Sequence, residues 1–125
     1  YIHKIQNMSL FKIISISSLS GILLTNLPAS ASYIYVNGWG MQGSVQSCID
    51  NGKRVAKDLN FKLDQDTVWD DASKRGGALF ATYKGYTDVS LNYRCDEDTG
   101  VMSFGISGPS NDRTYKLYSD FFYGL

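Results

Sequence analysis

The chain has 125 residues, with twelve Lys+Arg balancing twelve Asp+Glu, 43% hydrophobic and 14% aromatic residues, two cysteines and one histidine. A chain of this length holds one domain. It has no basic run longer than Lys53-Arg54 or Lys74-Arg75, so it lacks the charge clustering on which phosphate binding depends, and nucleic acid is disfavoured as a partner.

In chain order, the first signal is a leader. From Met8 the sequence runs MSLFKIISISSLSGILLTNLPASA, with Lys12 ahead of an apolar stretch from Ile13 to Leu27 and the small-residue site Ala29-Ser30-Ala31. A basic start, a short apolar run and an A-x-A site are the parts a signal peptidase reads. A spanning helix needs about 20 mostly apolar residues, and this run is shorter and diluted by Ser15, Ser17, Ser18 and Ser20. Residues 1–31 are therefore expected to be a cleaved signal peptide. Residues 32–125 are expected to form a single exported domain, periplasmic or secreted, that meets a membrane only through an uncleaved leader. Without Lys4 and Lys12, that domain has ten basic and twelve acidic residues, a formal charge of −2.

Residues 33–36 (YIYV) read as a short strand. The following Gly38-Trp39-Gly40-Met41-Gln42-Gly43 matches the dinucleotide fingerprint G-x-G-x-x-G, with Asp64 and Asp66 about 20 residues on. That fold needs parallel βαβ units, whereas the later connections are too short for crossovers. The expectation is a flexible loop whose glycines permit a tight bend into a helix. Ser44 suits the helix N-cap. Val45, Cys48, Ile49, Gly52, Val55, Ala56 and Leu59 then form one apolar stripe, with Lys53, Arg54, Lys57 and Asp58 off it.

A weaker strand is expected over 61–68, followed by strands at 78–84, 89–95 and 101–107. The second alternates cleanly: Val89, Leu91, Tyr93 and Cys95 on one face, Ser90, Asn92 and Arg94 on the other. Met102, Phe104 and Ile106 share a face of the third. The links at 85–88 and 96–100 suit antiparallel hairpins. After Gly108-Pro109, Ser110 is placed to cap a last helix carrying Tyr115, Tyr118, Phe121, Phe122 and Leu125 at helical spacing. The expected fold class is α+β: a mainly antiparallel sheet with two helices packed on one face, in the order β-α-β-β-β-β-α.

Cys48 and Cys95 fall on the helix stripe and on the inward strand face. In an oxidising compartment an even pair in a small domain is read as a bridge, here from helix to sheet; the alternative is two free buried thiols. Candidate chemistry is narrow. The one histidine, His3, precedes the leader, so the domain lacks the base of Ser-His-Asp and Cys-His systems and the commonest metal ligand. Carboxylates remain, and Asp64, Asp66, Asp70 and Asp71 could supply a two-acid hydrolase pair, although no spacing selects one. The acidic turn Asp96-Glu97-Asp98 lacks the D-x-D-x-D-G pattern of a Ca²⁺ loop and reads as a solvated hairpin turn. No cofactor or metal is expected.

Aromatic residues are in surplus. Trp39, between glycines, and Trp69, beside Asp70-Asp71, have no obvious burial partners in the sequence, and such residues favour protein interfaces or sugar stacking. Burial against the sheet edge is the plainer alternative.

One arrangement is familiar. Cys48 comes early in a helix closed by Ala56 and Leu59, Asn60-Phe61 starts a strand, Tyr93-Arg94-Cys95 ends one, and Gly108-Pro109 precedes the last helix. Across residues 45–122 this order resembles small exported bacterial proteins of unknown function whose helix and sheet are joined by one disulfide. The resemblance implies an exported α+β domain and no particular activity. Where such domains often place Gly before the strand Phe, this chain has Asn60, which also tolerates the left-handed helix-ending conformation. The function expected is a non-catalytic binding module at the cell envelope. Its partner would be an envelope protein or a glycan, met around Trp39, Trp69, Tyr83 and Tyr86. A carboxylate-dependent hydrolase using Asp70 or Asp71, and a purely structural envelope component, are the alternatives.

Overall fold

The computed structural model describes residues 32–85 and 88–125. The expected leader and Tyr86 lie outside them. Eight elements follow in order: β1 (Tyr33–Gly40), α1 (Val45–Asp58), β2 (Phe61–Leu63), β3 (Val68–Trp69), β4 (Gly76–Tyr83), β5 (Ser90–Asp96), β6 (Val101–Gly108) and α2 (Asn111–Gly124). The class is α+β, with one six-stranded sheet ordered β1-β6-β5-β4-β2 and β3 also paired to β4. Every pairing is antiparallel. β1 lies at one sheet edge, α1 carries the chain to the other, and the β4–β5–β6 meander returns it to β1.

Alternation decides which sheet face is covered. Leu79 and Ala81 of β4, Leu91, Tyr93 and Cys95 of β5, and Met102, Phe104 and Ile106 of β6 are buried beneath the helices. α1 lies over β4, β2 and β5, and α2 over β6 and β1. The α1 stripe is buried as its spacing requires, with Ile49 and Ala56 fully enclosed. Each large side chain so enclosed contributes roughly 1.5–3 kcal/mol. Ser44 caps α1, its hydroxyl accepting from Ser47 N–H at 3.1 Å. Asn60 ends the helix in the left-handed region at φ 67.

Three expectations need correction. The stretch 61–68 forms two short strands, not one: Asp64 to Asp66 turn away after Leu63, and both pieces rejoin β4. β1 runs four residues beyond Val36, so Gly38-Trp39-Gly40 is a strand paired to β6 and not a loop. The bend comes later, at Gly43 with φ 75. The α2 stripe is also rotated. Its buried residues are Thr114, Leu117 and Phe121, while Tyr115 is 54% exposed. Thr114 tolerates burial because its hydroxyl donates to Ser110 C=O at 2.6 Å. Tyr118 stays at the flank, where its hydroxyl accepts from Asn37 Nδ2 at 3.1 Å. Ser110 occupies the N-cap without a side-chain capping bond.

The cysteines form the expected bridge: Cys48 in the first turns of α1 is bonded to Cys95 near the end of β5, with Cα atoms 6.2 Å apart. Among the described residues no helix is long and apolar enough to cross a membrane.

Candidate functional site

A cleft of about 350 Å³ lies in the seam between α1 and α2. Trp39 closes it from β1, Met102 rises from β6, and Phe122 and Leu125 border it from the end of α2. Gln42, Ser47 and Asn51 supply polar groups, and Cys48 and Tyr93 lie at its side. Packing sets the Trp39 ring: it meets Phe104 edge-on at 6.1 Å and Phe122 at 5.4 Å. Asn51 Nδ2 donates to Leu125 C=O at 3.0 Å, and Arg54 donates to Gly124 C=O at 3.0 Å. These bonds bring α1 to the carbonyl end of α2, where a cation is favoured by the helix dipole.

Tyr93 is the titratable group of the cleft. Its hydroxyl donates to Cys48 C=O at 3.1 Å and lies 3.2 Å from Cys48 Sγ. Burial pushes its phenol up from 10.0 to about 12. At neutral pH it is therefore a neutral hydrogen-bonding group and not a base.

The same shift predicts an alkaline instability. An unfolded phenol ionises near 10 while the folded one keeps its proton to about 12. In that window the unfolded chain binds fewer protons, so the contribution is intact below pH 10 and is lost as pH rises through 12. The loss is on the order of 2 kcal/mol. Urea midpoints measured from pH 9 to 12 are expected to show it, and Tyr93→Phe is expected to remove that step. An unchanged slope in Y93F assigns the step elsewhere.

Of the aromatic residues singled out in the sequence, the three among the described residues, Trp39, Trp69 and Tyr83, do not converge. The register places Trp39 opposite Met102, Met102 opposite Cys95, Cys95 opposite Gly77, and Gly77 opposite Trp69. Both tryptophans thus occupy one cross-sheet row at opposite edges, about 19 Å apart at four strand spacings. Trp69 is half-buried against Gly77, with Lys74 Nζ 5.3 Å from its ring centroid. Tyr83 lies at the far end of β4, about 20 Å along the strand from that row, edge-on to Phe61 at 5.3 Å.

The candidate aspartates are each held by other groups. Asp70 binds Arg94 through both carboxylate oxygens, one contact at 2.9 Å, and Asp96 adds a third at 3.2 Å. The Asp70 and Asp96 carboxylates raise the Arg94 guanidinium further above its usual value. The Thr99 N–H, with Arg94 next, holds Asp96 low. Lys53 at 2.8 Å, then Thr67 N–H, lowers Asp66. The Ser73 hydroxyl and N–H lower Asp71. Asp64 accepts from Thr82 Oγ1 at 2.9 Å. In the acidic turn, Asp98 pairs with Arg75 at 2.6 Å and Asp96 accepts from Thr99 N–H at 3.1 Å. Among the described residues no three His, Cys, Asp or Glu side chains gather as a metal set would.

Sequence reasoning named Trp39 as a site residue but missed Gln42, Ser47, Asn51, Met102, Phe122 and Leu125. They come from four segments, and no local pattern links them. Gly52 on the α1 stripe marks only where the Tyr93 ring enters from the sheet, and not these residues.

No protein-family model matches the chain, and no curated protein matches it.

Proposed function

We propose that the domain is a non-catalytic binding module, exported to the periplasm or secreted, which takes an apolar or aromatic group of an envelope protein or glycan into the cleft beside Trp39. The observation that carries this reading is the cleft itself, with Trp39, Met102, Phe122 and Leu125 as apolar walls and Gln42, Ser47 and Asn51 as polar rim. At about 350 Å³ it lies near the small end of ligand sites and suits one side chain or one sugar ring. A leader-like segment before Ser32 and the bridge between Cys48 and Cys95 support export.

The test uses indole and N-acetylglucosamine as separate probes, following the Trp39 indole N–H and the Asn51 and Gln42 side-chain amides by NMR. One probe is expected to shift all three together, and Trp39→Ala to weaken its binding about tenfold or more, as loss of an aromatic anchor does. Trp69→Ala, at the opposite sheet edge, is expected to bind as wild type does. Because Trp39 also packs on Phe104 and Phe122, both variants are compared where unfolding curves show them folded. Equal loss in both variants, or saturation that leaves the three groups unmoved, defeats the reading.

A further inference from the structure

A separate feature lies at the edge of the sheet. β1 is an edge strand of eight residues, YIYVNGWG, with no charged side chain and no proline. Edge strands are ordinarily blunted by such residues or by a bulge. Here the register with β6 runs without interruption from Tyr33↔Gly108 to Gly40↔Val101.

The antiparallel ladder fixes which backbone groups of β1 lack a partner in β6. Met41 N–H donates to Gly100 C=O at 2.8 Å, which makes Met41 and Gly100 a hydrogen-bonded pair. Stepping back by two, Trp39, Asn37, Tyr35 and Tyr33 turn their N–H and C=O groups toward β6. Ile34, Val36, Gly38 and Gly40 turn theirs outward. One outward donor is already used, because Asn37 Oδ1 accepts from Gly38 N–H at 2.8 Å. Ile34, Val36 and Gly40 remain, and the side chains of Ile34 and Val36 stand on the open sheet face at 67% and 70% exposure.

We propose that β1 pairs with β1 of a second copy of this chain, antiparallel, about a two-fold axis at Tyr35. Ile34 of each copy then faces Val36 of the other. Ile34 N–H meets Val36 C=O and Val36 N–H meets Ile34 C=O, each bond repeated by the symmetry. Moving the axis to Val36 sets Ile34 opposite Gly38 and requires the N–H that Asn37 already holds, so the Asn37 side chain disfavours that register. The occupant is a second copy for two reasons. The strand is uncharged, so two copies meet without repulsion, and the same two residues supply every donor and acceptor under a two-fold operation. Ile34 and Val36 also form β-branched cross-strand pairs on the open face. On the covered face Tyr35 meets its symmetry mate beside Tyr115, which is 5.3 Å away and largely exposed. The inference rests on the sheet edge and does not depend on the cleft.

Sedimentation equilibrium of the purified protein over a range of concentrations, paired with amide hydrogen exchange, tests it. The expected mass is twice that of the chain, with Ile34 and Val36 amides slowed about tenfold or more at high concentration and released on dilution. Gly38 exchange is expected to be indifferent to concentration. Val36→Pro, which removes an outward N–H, and Val36→Lys, which sets a charge at an exposed position, are both expected to give monomers. The lysine variant guards against a folding failure of the proline one. A monomer at every concentration, a dimer that keeps its mass in V36K, or Ile34 and Val36 amides blind to dilution overturns the proposal.

Discussion

Opening the Cys48–Cys95 bridge is expected to lower stability by about 4 kcal/mol, since cross-linking residues 47 apart removes chain entropy from the unfolded state on that scale. For a domain of this size that is a fall of about 15–30 °C in Tm. It is also a large share of the 5–15 kcal/mol that holds a typical domain folded. The bridge does not act alone in joining α1 to β5, because the Tyr93 hydroxyl bonds to Cys48 C=O beside it. The measurement is urea unfolding of the oxidised protein, the reduced protein and the Cys48→Ala/Cys95→Ala variant. Chain entropy predicts similar losses for the last two. A much larger loss in C48A/C95A assigns the effect to packing of the buried sulfurs. A reduced protein within about 1 kcal/mol of the oxidised one shows that the helix is held by its apolar stripe and not by the covalent link.

The residues that made the fold legible were those whose periodicity coincides with burial. Val89, Leu91, Tyr93 and Cys95 alternate in sequence and are all buried in space. The α1 stripe likewise places Cys48 over β5, so the helix-to-sheet bridge followed from two independent patterns. Legibility failed where tertiary contact overrides local pattern. Gly38 and Gly40 read as a loop, yet pairing with β6 extends β1 through them. The α2 tyrosines fall at helical spacing in the sequence, yet Tyr115 is exposed and Tyr118 sits at the flank with its hydroxyl accepting from Asn37, while Thr114 and Leu117 take the buried positions. The two tryptophans illustrate the limit most clearly. Their exposure was open in the sequence, and their place in one cross-sheet row appears only once four registers are combined. A cleft assembled from β1, α1, β6 and α2 leaves no local mark, because its walls are set by helix placement.

The position that joins the fold to the cleft is Gly52, and it yields the second large expected effect, of opposite sign to the one helix propensity gives. In an ordinary helix interior, replacing Gly with Ala stabilises by about 1 kcal/mol. Gly52 is buried mid-helix in α1, and a Cβ there would lie 2.5 Å from Tyr93 Cδ1 and 3.0 Å from Cζ. The ring cannot retreat easily. It is fully buried, Phe121 packs against it at 5.8 Å, and its hydroxyl is anchored on Cys48 C=O. Gly52→Ala is therefore expected to destabilise by about 1–3 kcal/mol, the usual cost of overpacking. Either α1 lifts from β5 or the Tyr93 bond breaks, and both change the wall of the cleft. A double-mutant cycle with Tyr93→Leu isolates the contact. The coupling is expected to be about 1 kcal/mol or more, with the alanine better tolerated once the ring is gone. If G52A is as stable as wild type, the close approach of helix and ring is not what sets the distance between α1 and the sheet.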